Sequence, residues 1–136
     1  MKYDDLLNIP YKVHGRDRSG YDCYGLVMEC CRRCGTPIAD PVKDLEKLDA
    51  NLVNDYINKG INIRRINSPE VGCIVEMSYG GNCHVGFLVA RNLVIHCTTN
   101  HGVKTTPLGA VKVIDYFEVI DESNINKKPI EQKYNS

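Results

Sequence analysis

Apolar residues recur at intervals of three and four from Cys23 onward, at Cys23, Leu26, Val27, Cys30, Cys31 and Cys34. That spacing lays one stripe along a helix and predicts a helix over residues 23–34. Gly35 suits the position just past its end, and Pro37 the stop beyond. A second helical pattern opens at Pro41. Leu45, Leu48, Leu52, Val53, Tyr56 and Ile57 form one face, charged residues lie mostly on the other, and Gly60 ends it. Before the first helix, residues 1–10 read as a helical or irregular lead-in, and the polar residues 11–20 as a loop.

After Gly60 the period shortens. Ile61, Ile63 and Ile66 predict a short extended segment, and Ser68-Pro69-Glu70-Val71-Gly72 a turn. Strands are predicted at Cys73–Met77, Cys83–Ala90, Leu93–Cys97 and Val111–Ile120. The connections are a loop at 78–82, a tight turn at Arg91-Asn92 and a glycine-bearing loop at Asn100-His101-Gly102. Residues 121–136 are polar and read as a frayed tail beyond a single domain at 1–120. Helices followed by strands imply an α+β fold, an antiparallel sheet with helices packed on it.

Composition narrows the function. The 136 residues can bury a real core. Charge balances at 17 basic against 17 acidic residues, so no global field recruits nucleic acid or an anionic membrane. No apolar run approaches the ~20 residues of a membrane span. The acidic start, Met1-Lys2-Tyr3-Asp4-Asp5, lacks a hydrophobic signal core, so the expectation is cytoplasmic synthesis, with delivery by other means if the protein acts outside. Seven cysteines, an odd number in a chain of this size, argue for buried thiols rather than a disulfide framework. Cys31-Arg32-Arg33-Cys34 is a CxxC, but it lies inside the helical stripe and has no second pair at zinc spacing; no metal or cofactor is expected.

Cys23 differs from the other six by position. It sits at a predicted helix N-terminus, where the helix dipole and free N–H groups favour a thiolate. A sulfur nucleophile needs a base and a group to orient it. Of four histidines, His14 and His101 lie in loops, while His84 and His96 lie in consecutive apolar strands. Side chains alternate across a strand, so register decides whether these two can meet. A two-residue turn with Ala90 facing Leu93 sets His96 opposite Phe87, and the histidines point to opposite faces. An odd loop or a bulge sets His96 opposite Gly86, on the face of His84, with space beside its ring.

The motifs Asp22-Cys23-x-Gly25-Leu26-Val27, His84-Val85-Gly86-Phe87-Leu88-Val89 and Leu93-Val94-Ile95-His96, in that order, resemble the NlpC / p-sixty family of papain-like cysteine peptidases. Val71–Met77 resembles the strand that precedes that family's histidine. The resemblance covers roughly residues 10–120. The lead-in Pro10–Asp17, with Tyr24 after the cysteine where the family usually has serine, resembles the bacteriophage and prophage branch associated with tail tips.

The resemblance implies hydrolysis of peptidoglycan stem peptides, commonly at a γ-D-glutamyl bond to the diamino acid. It implies Cys23 as nucleophile, His84 as general base and His96 as orienting residue. It also implies substrate contacts from Asp22, Tyr11 and Tyr24, phage tail proteins as partners, and action at the cell wall or in a virion tail. Asp22 reads equally as a helix N-cap, and Tyr11 as packing. Two other readings stay open: a non-catalytic tail component that keeps the fold, and an amidase or acyltransferase acting on another amide.

Overall fold

The computed structural model describes residues 1–40 and 62–120. The helix expected at 41–60 and the tail at 121–136 lie outside them. After a 3-10 turn at Asp4–Leu6 come two short strands, β1 (Arg16–Asp17) and β2 (Gly20–Tyr21), then helix α1 (Cys23–Arg33). Six strands follow: β3 (Ile63–Ile66), β4 (Ile74–Tyr79), β5 (Asn82–Ala90), β6 (Leu93–Thr98), β7 (Gly102–Pro107) and β8 (Lys112–Val119). They form one antiparallel sheet in the order β3-β8-β4-β5-β6-β7. The α+β expectation holds. Among the described residues no helix is long and apolar enough to cross a membrane.

Helix α1 begins and ends for local reasons. Asp22 is its N-cap, in extended conformation, and its side chain accepts from Gly25 N at 2.7 Å. At the far end Gly35 takes φ 78°. Thr36 N bonds Cys31 O and Gly35 N bonds Arg32 O, both at 3.0 Å, which is the Schellman arrangement. The predicted stripe is the buried face as far as Cys31, whereas Cys34, at the C-cap, is exposed. Leu26, Val27, Cys30 and Cys31 pack against Val85, Phe87, Ile95 and Cys97 of the sheet. A fully buried Leu or Val contributes roughly 1.5–3 kcal/mol, so this interface is what holds α1 on the sheet. The other sheet face buries Cys73, Val75, Met77, Leu88 and Val94 beneath Leu108 and Val111.

Three expectations need correction. The loop at 11–20 contains the β1–β2 hairpin, and a parallel bridge joins Tyr11 to Tyr21. The loop at 78–82 shrinks to the two-residue turn Gly80-Gly81, because both glycines adopt positive φ (58° and 81°) and let β4 and β5 pair out to Tyr79–Asn82. The stretch after Gly102 is not loop but β7, paired along β6 from Thr98–Gly102 to Leu93–Pro107. In a flat sheet β7 and β8 would lie about 19 Å apart. The short link through the 3-10 turn at Leu108–Ala110 cannot cross that distance, so the sheet curls.

The β5–β6 register falls on the bulged alternative. Ala90 faces Leu93 across a two-residue turn, but Leu88 faces Val94 and Phe87 faces Ile95, so Val89 is one residue extra. Extended by one step, that register sets His96 across from Gly86. The space at Gly86 is not left for the His96 ring, however. A Cβ there would meet Val94 Cγ1 at 2.6 Å and Met77 Cε at 2.9 Å.

Gly25 carries the tightest approach. A Cβ on it would sit 2.1 Å from the carbonyl oxygen of Gly15, a backbone atom that cannot rotate away. Gly25→Ala is therefore expected to destabilise the protein by about 1–3 kcal/mol in denaturant titration. Gly109→Ala, where nothing lies within 4 Å, is expected to stay near wild type.

Candidate active site

Cys23 opens α1, and its surroundings come from three other elements. The β5–β6 ladder ends at Phe87–Ile95. Beyond it the backbone N–H of Val85 turns to the Cys23 sulfur. On the β6 side, the Cys97 thiol donates to Tyr21 O at 3.1 Å. The Tyr21–Cys23 segment is thus held where the two strands part, and Cys23 lies against the peptide next to His84.

The histidines meet. His84 Nε2 and His96 Nδ1 are 3.0 Å apart, and His96 Nε2 is 2.8 Å from Thr106 Oγ1 on β7. His84 Nδ1 is the ring nitrogen that this bond does not use. His84 is 8% exposed and His96 1%. Tyr79 covers both rings, tilted over His84 at 5.0 Å and edge-on to His96 at 5.8 Å between centroids.

Burial dominates the electrostatics. It pushes the Cys23 thiol up to about 11. The residue as a whole is only partly exposed, and enough protein surrounds the sulfur that a thiolate would lose much of its hydration. The N–H groups of Val85, Tyr24 and Cys23 act the other way, and the Asp22 carboxylate adds to the rise. The expectation that a helix N-terminus makes Cys23 a resting thiolate is therefore corrected: desolvation outweighs the amides. Burial likewise lowers both imidazoles, His84 further by the neighbouring ring and His96 by Lys104. Burial thus favours the neutral thiol and the neutral imidazoles alike.

Asp22 does the capping expected of it. Its Oδ1 accepts from Gly25 N and from Arg16 Nη1, each at 2.7 Å. Among the described residues no hydrogen bond uses the other oxygen. Arg16 also forks onto Asp40, at 2.9 and 3.2 Å. Tyr11 stands near Cys23, Asp22 and Cys97, whose negative forms, after burial, push its hydroxyl pKa up. Tyr24 is turned inward at 7% exposure, its hydroxyl donating to Ala39 O at 2.8 Å, and so braces the chain beyond α1. Among the described residues no three potential metal ligands gather.

The profile of the NlpC/P60 family matches residues 8–134. The chain belongs to this family. Solved structures similar to it include the NlpC/p60 domain of the peptidoglycan hydrolase SagA, at 17% identity, with 82% of this chain and 87% of that one covered and a TM-score of 0.54. The P60 domain of antigen MAP1204 from M. avium subspecies paratuberculosis has 16% identity, 85% and 86% coverage and a TM-score of 0.57. NlpC2 from Trichomonas vaginalis has 17% identity and a TM-score of 0.60 over 82% of this chain, which spans 42% of that protein. At these identities the likeness concerns the NlpC/P60 papain-like fold. No curated protein matches the chain.

Within this NlpC/P60 domain, sequence reasoning missed Arg16, Tyr79, Cys97 and Thr106 as neighbours of the site. The Gly80-Gly81 hairpin signal could have kept Tyr79 in a strand, and the β-branched run around Thr105-Thr106 could have marked β7. Cys97 acts through Tyr21, far away in sequence, and Arg16 joins Asp22 to the more distant Asp40.

The lowered imidazoles set an acid limit. Each contributes stability that is complete above the unfolded histidine value near 6.5 and lost as pH falls toward about 4. Denaturant midpoints are expected to decline across that window. Tyr79→Ala, by admitting water to the rings, is expected to raise both histidine titrations in NMR and shrink the decline.

Proposed function

We propose that this domain is a cysteine peptidase that hydrolyses peptidoglycan stem peptides at a γ-D-glutamyl bond to the diamino acid. The observation that carries the reading is the 3.0 Å hydrogen bond between His84 Nε2 and His96 Nδ1, which leaves His84 Nδ1 outside the histidine pair. Cys23 Sγ attacks the carbonyl carbon as its proton passes to His84 Nδ1, so no free thiolate accumulates. Backbone N–H groups at the start of α1 stabilise the oxyanion. His84 returns the proton to the leaving amine, and water, deprotonated by His84, then releases the acyl group from sulfur.

His96 accepts from His84 and orients its ring. The unused oxygen of Asp22 receives a substrate amine, and Tyr11 lines the approach. SagA, a peptidoglycan hydrolase sharing the fold, supports the choice of substrate. The lead-in Pro10–Asp17 and Tyr24 favour a phage or prophage tail protein that acts on the wall. Mass spectrometry of purified particles tests that assignment, and absence of the chain from them removes it.

Incubation with defined muropeptides, read by mass spectrometry, tests the reaction. Wild type is expected to cut and Cys23→Ala to leave the peptides intact at unchanged thermal stability. His84→Ala is expected to lower kcat by roughly 10²–10⁴. Uncut muropeptides with wild type would sink the proposal. Iodoacetamide labelling of Cys23 in the free protein is expected to keep accelerating above pH 8, because burial holds the thiol protonated. A plateau reached below pH 7 would show a preformed thiolate instead.

A further inference from the structure

The hydrogen-bond chain through the histidines continues past His96 to β7. Thr106 lies across from Val94, one diagonal step from His96, and its Oγ1 is 2.8 Å from His96 Nε2. Lys104 is the residue directly opposite His96. A neutral imidazole has one N–H and one bare nitrogen, so only two proton arrangements satisfy the whole chain. In the first, Thr106 accepts from His96 Nε2–H, His96 Nδ1 accepts from His84 Nε2–H, and His84 Nδ1 is bare. In the second, Thr106 donates, every proton shifts by one nitrogen, and His84 Nδ1 carries a hydrogen. Only the first leaves a base for the thiol proton.

We infer that Thr106 is a positioning residue that makes the working tautomer of both histidines possible by accepting the His96 Nε2 proton. This rests on the roles given above to Cys23 and His84. When His84 becomes imidazolium it donates more strongly through Nε2, so His96 must keep its proton on Nε2, and that proton needs an oxygen. His96 is almost fully enclosed, with its ring edges against His84, Tyr79 and Thr106, so water does not readily replace the threonine. The cation of Lys104, facing His96 from the same strand as Thr106, opposes a second positive charge on His96. The positive charge therefore stays on His84.

Thr106→Val keeps the shape and removes the acceptor. An unpartnered N–H in this enclosed place favours the other tautomer, with its proton on Nδ1. The expected result is a kcat lower by roughly ten- to a hundredfold with KM little changed. Long-range ¹H–¹⁵N spectra of histidine-labelled protein are expected to show Nε2–H on both rings in wild type and Nδ1–H, or a mixture, in Thr106→Val. Thr106→Ser restores the hydroxyl and is expected to recover both the spectrum and kcat.

Unchanged ring tautomers in Thr106→Val, or a serine variant that recovers neither, would overturn the assignment. The spectra need no substrate, so they decide the role of Thr106 even if the muropeptide assay fails. A thermal melt on each variant separates loss of fold from loss of tautomer.

Discussion

One extra residue in one strand decides whether the two strand histidines of this protein can meet. Val89 bulges out of the β5–β6 pairing, and that shift of one position turns His96 onto the face of His84. Without it, the two-residue turn at Arg91-Asn92 would hold the rings on opposite sides of the sheet. The ladder ends at Phe87–Ile95, and beyond it the Val85 amide meets the Cys23 sulfur. The bulge thus decides which sheet face His96 takes, while the Asp22 cap and the Cys97–Tyr21 hydrogen bond hold the start of α1.

Around Cys23 the fold places contacts that carry more than one task. Asp22 Oδ1 caps α1 and holds Arg16, and Arg16 in turn grips Asp40 and lies 6.0 Å from the Tyr24 ring centre. The first turn of the helix is therefore fixed from both sides of Cys23. Gly15 and Gly25 let these backbones touch, and Cys97 ties the preceding residue, Tyr21, to β6. A thiol positioned this way has little freedom to reorient, which favours reaction through geometry rather than through a standing charge.

The electrostatics follow from enclosure. Desolvation raises the thiol and lowers the imidazoles together, so proton transfer between them runs uphill in the free protein. The opposite charges formed in that transfer attract each other strongly in a dry site, and nearby amides stabilise the sulfur side. Such surroundings favour the uncharged forms of the thiol and both imidazoles. Tyr79, 42% exposed on the outside and stacked on the histidines on the inside, maintains that dryness.

Much of this was legible in the chain itself. Spacing of three and four, with Gly35 and Pro37 behind it, identified α1 to within a residue, because a helix is ruled by local hydrogen bonds and a single buried face. The order of Cys23, His84 and His96 identified the family. The register problem was also visible in advance, since alternation allows only two outcomes. The sequence could not choose between them, because a bulge is settled by how Phe87 and Leu88 pack on the two sheet faces. Nor could it show β7 or Thr106, whose pairing with β6 depends on sheet curl. It suggested an activated thiolate, because a helix terminus is a local feature, while desolvation depends on everything packed around the sulfur. The sequence by itself determined α1, the strands β4, β5, β6 and β8 and the likeness to the NlpC/P60 family. Only the tertiary structure decided that the histidines share a face, that threonine ends their chain and that burial keeps them uncharged, because each depends on neighbours far apart along the chain.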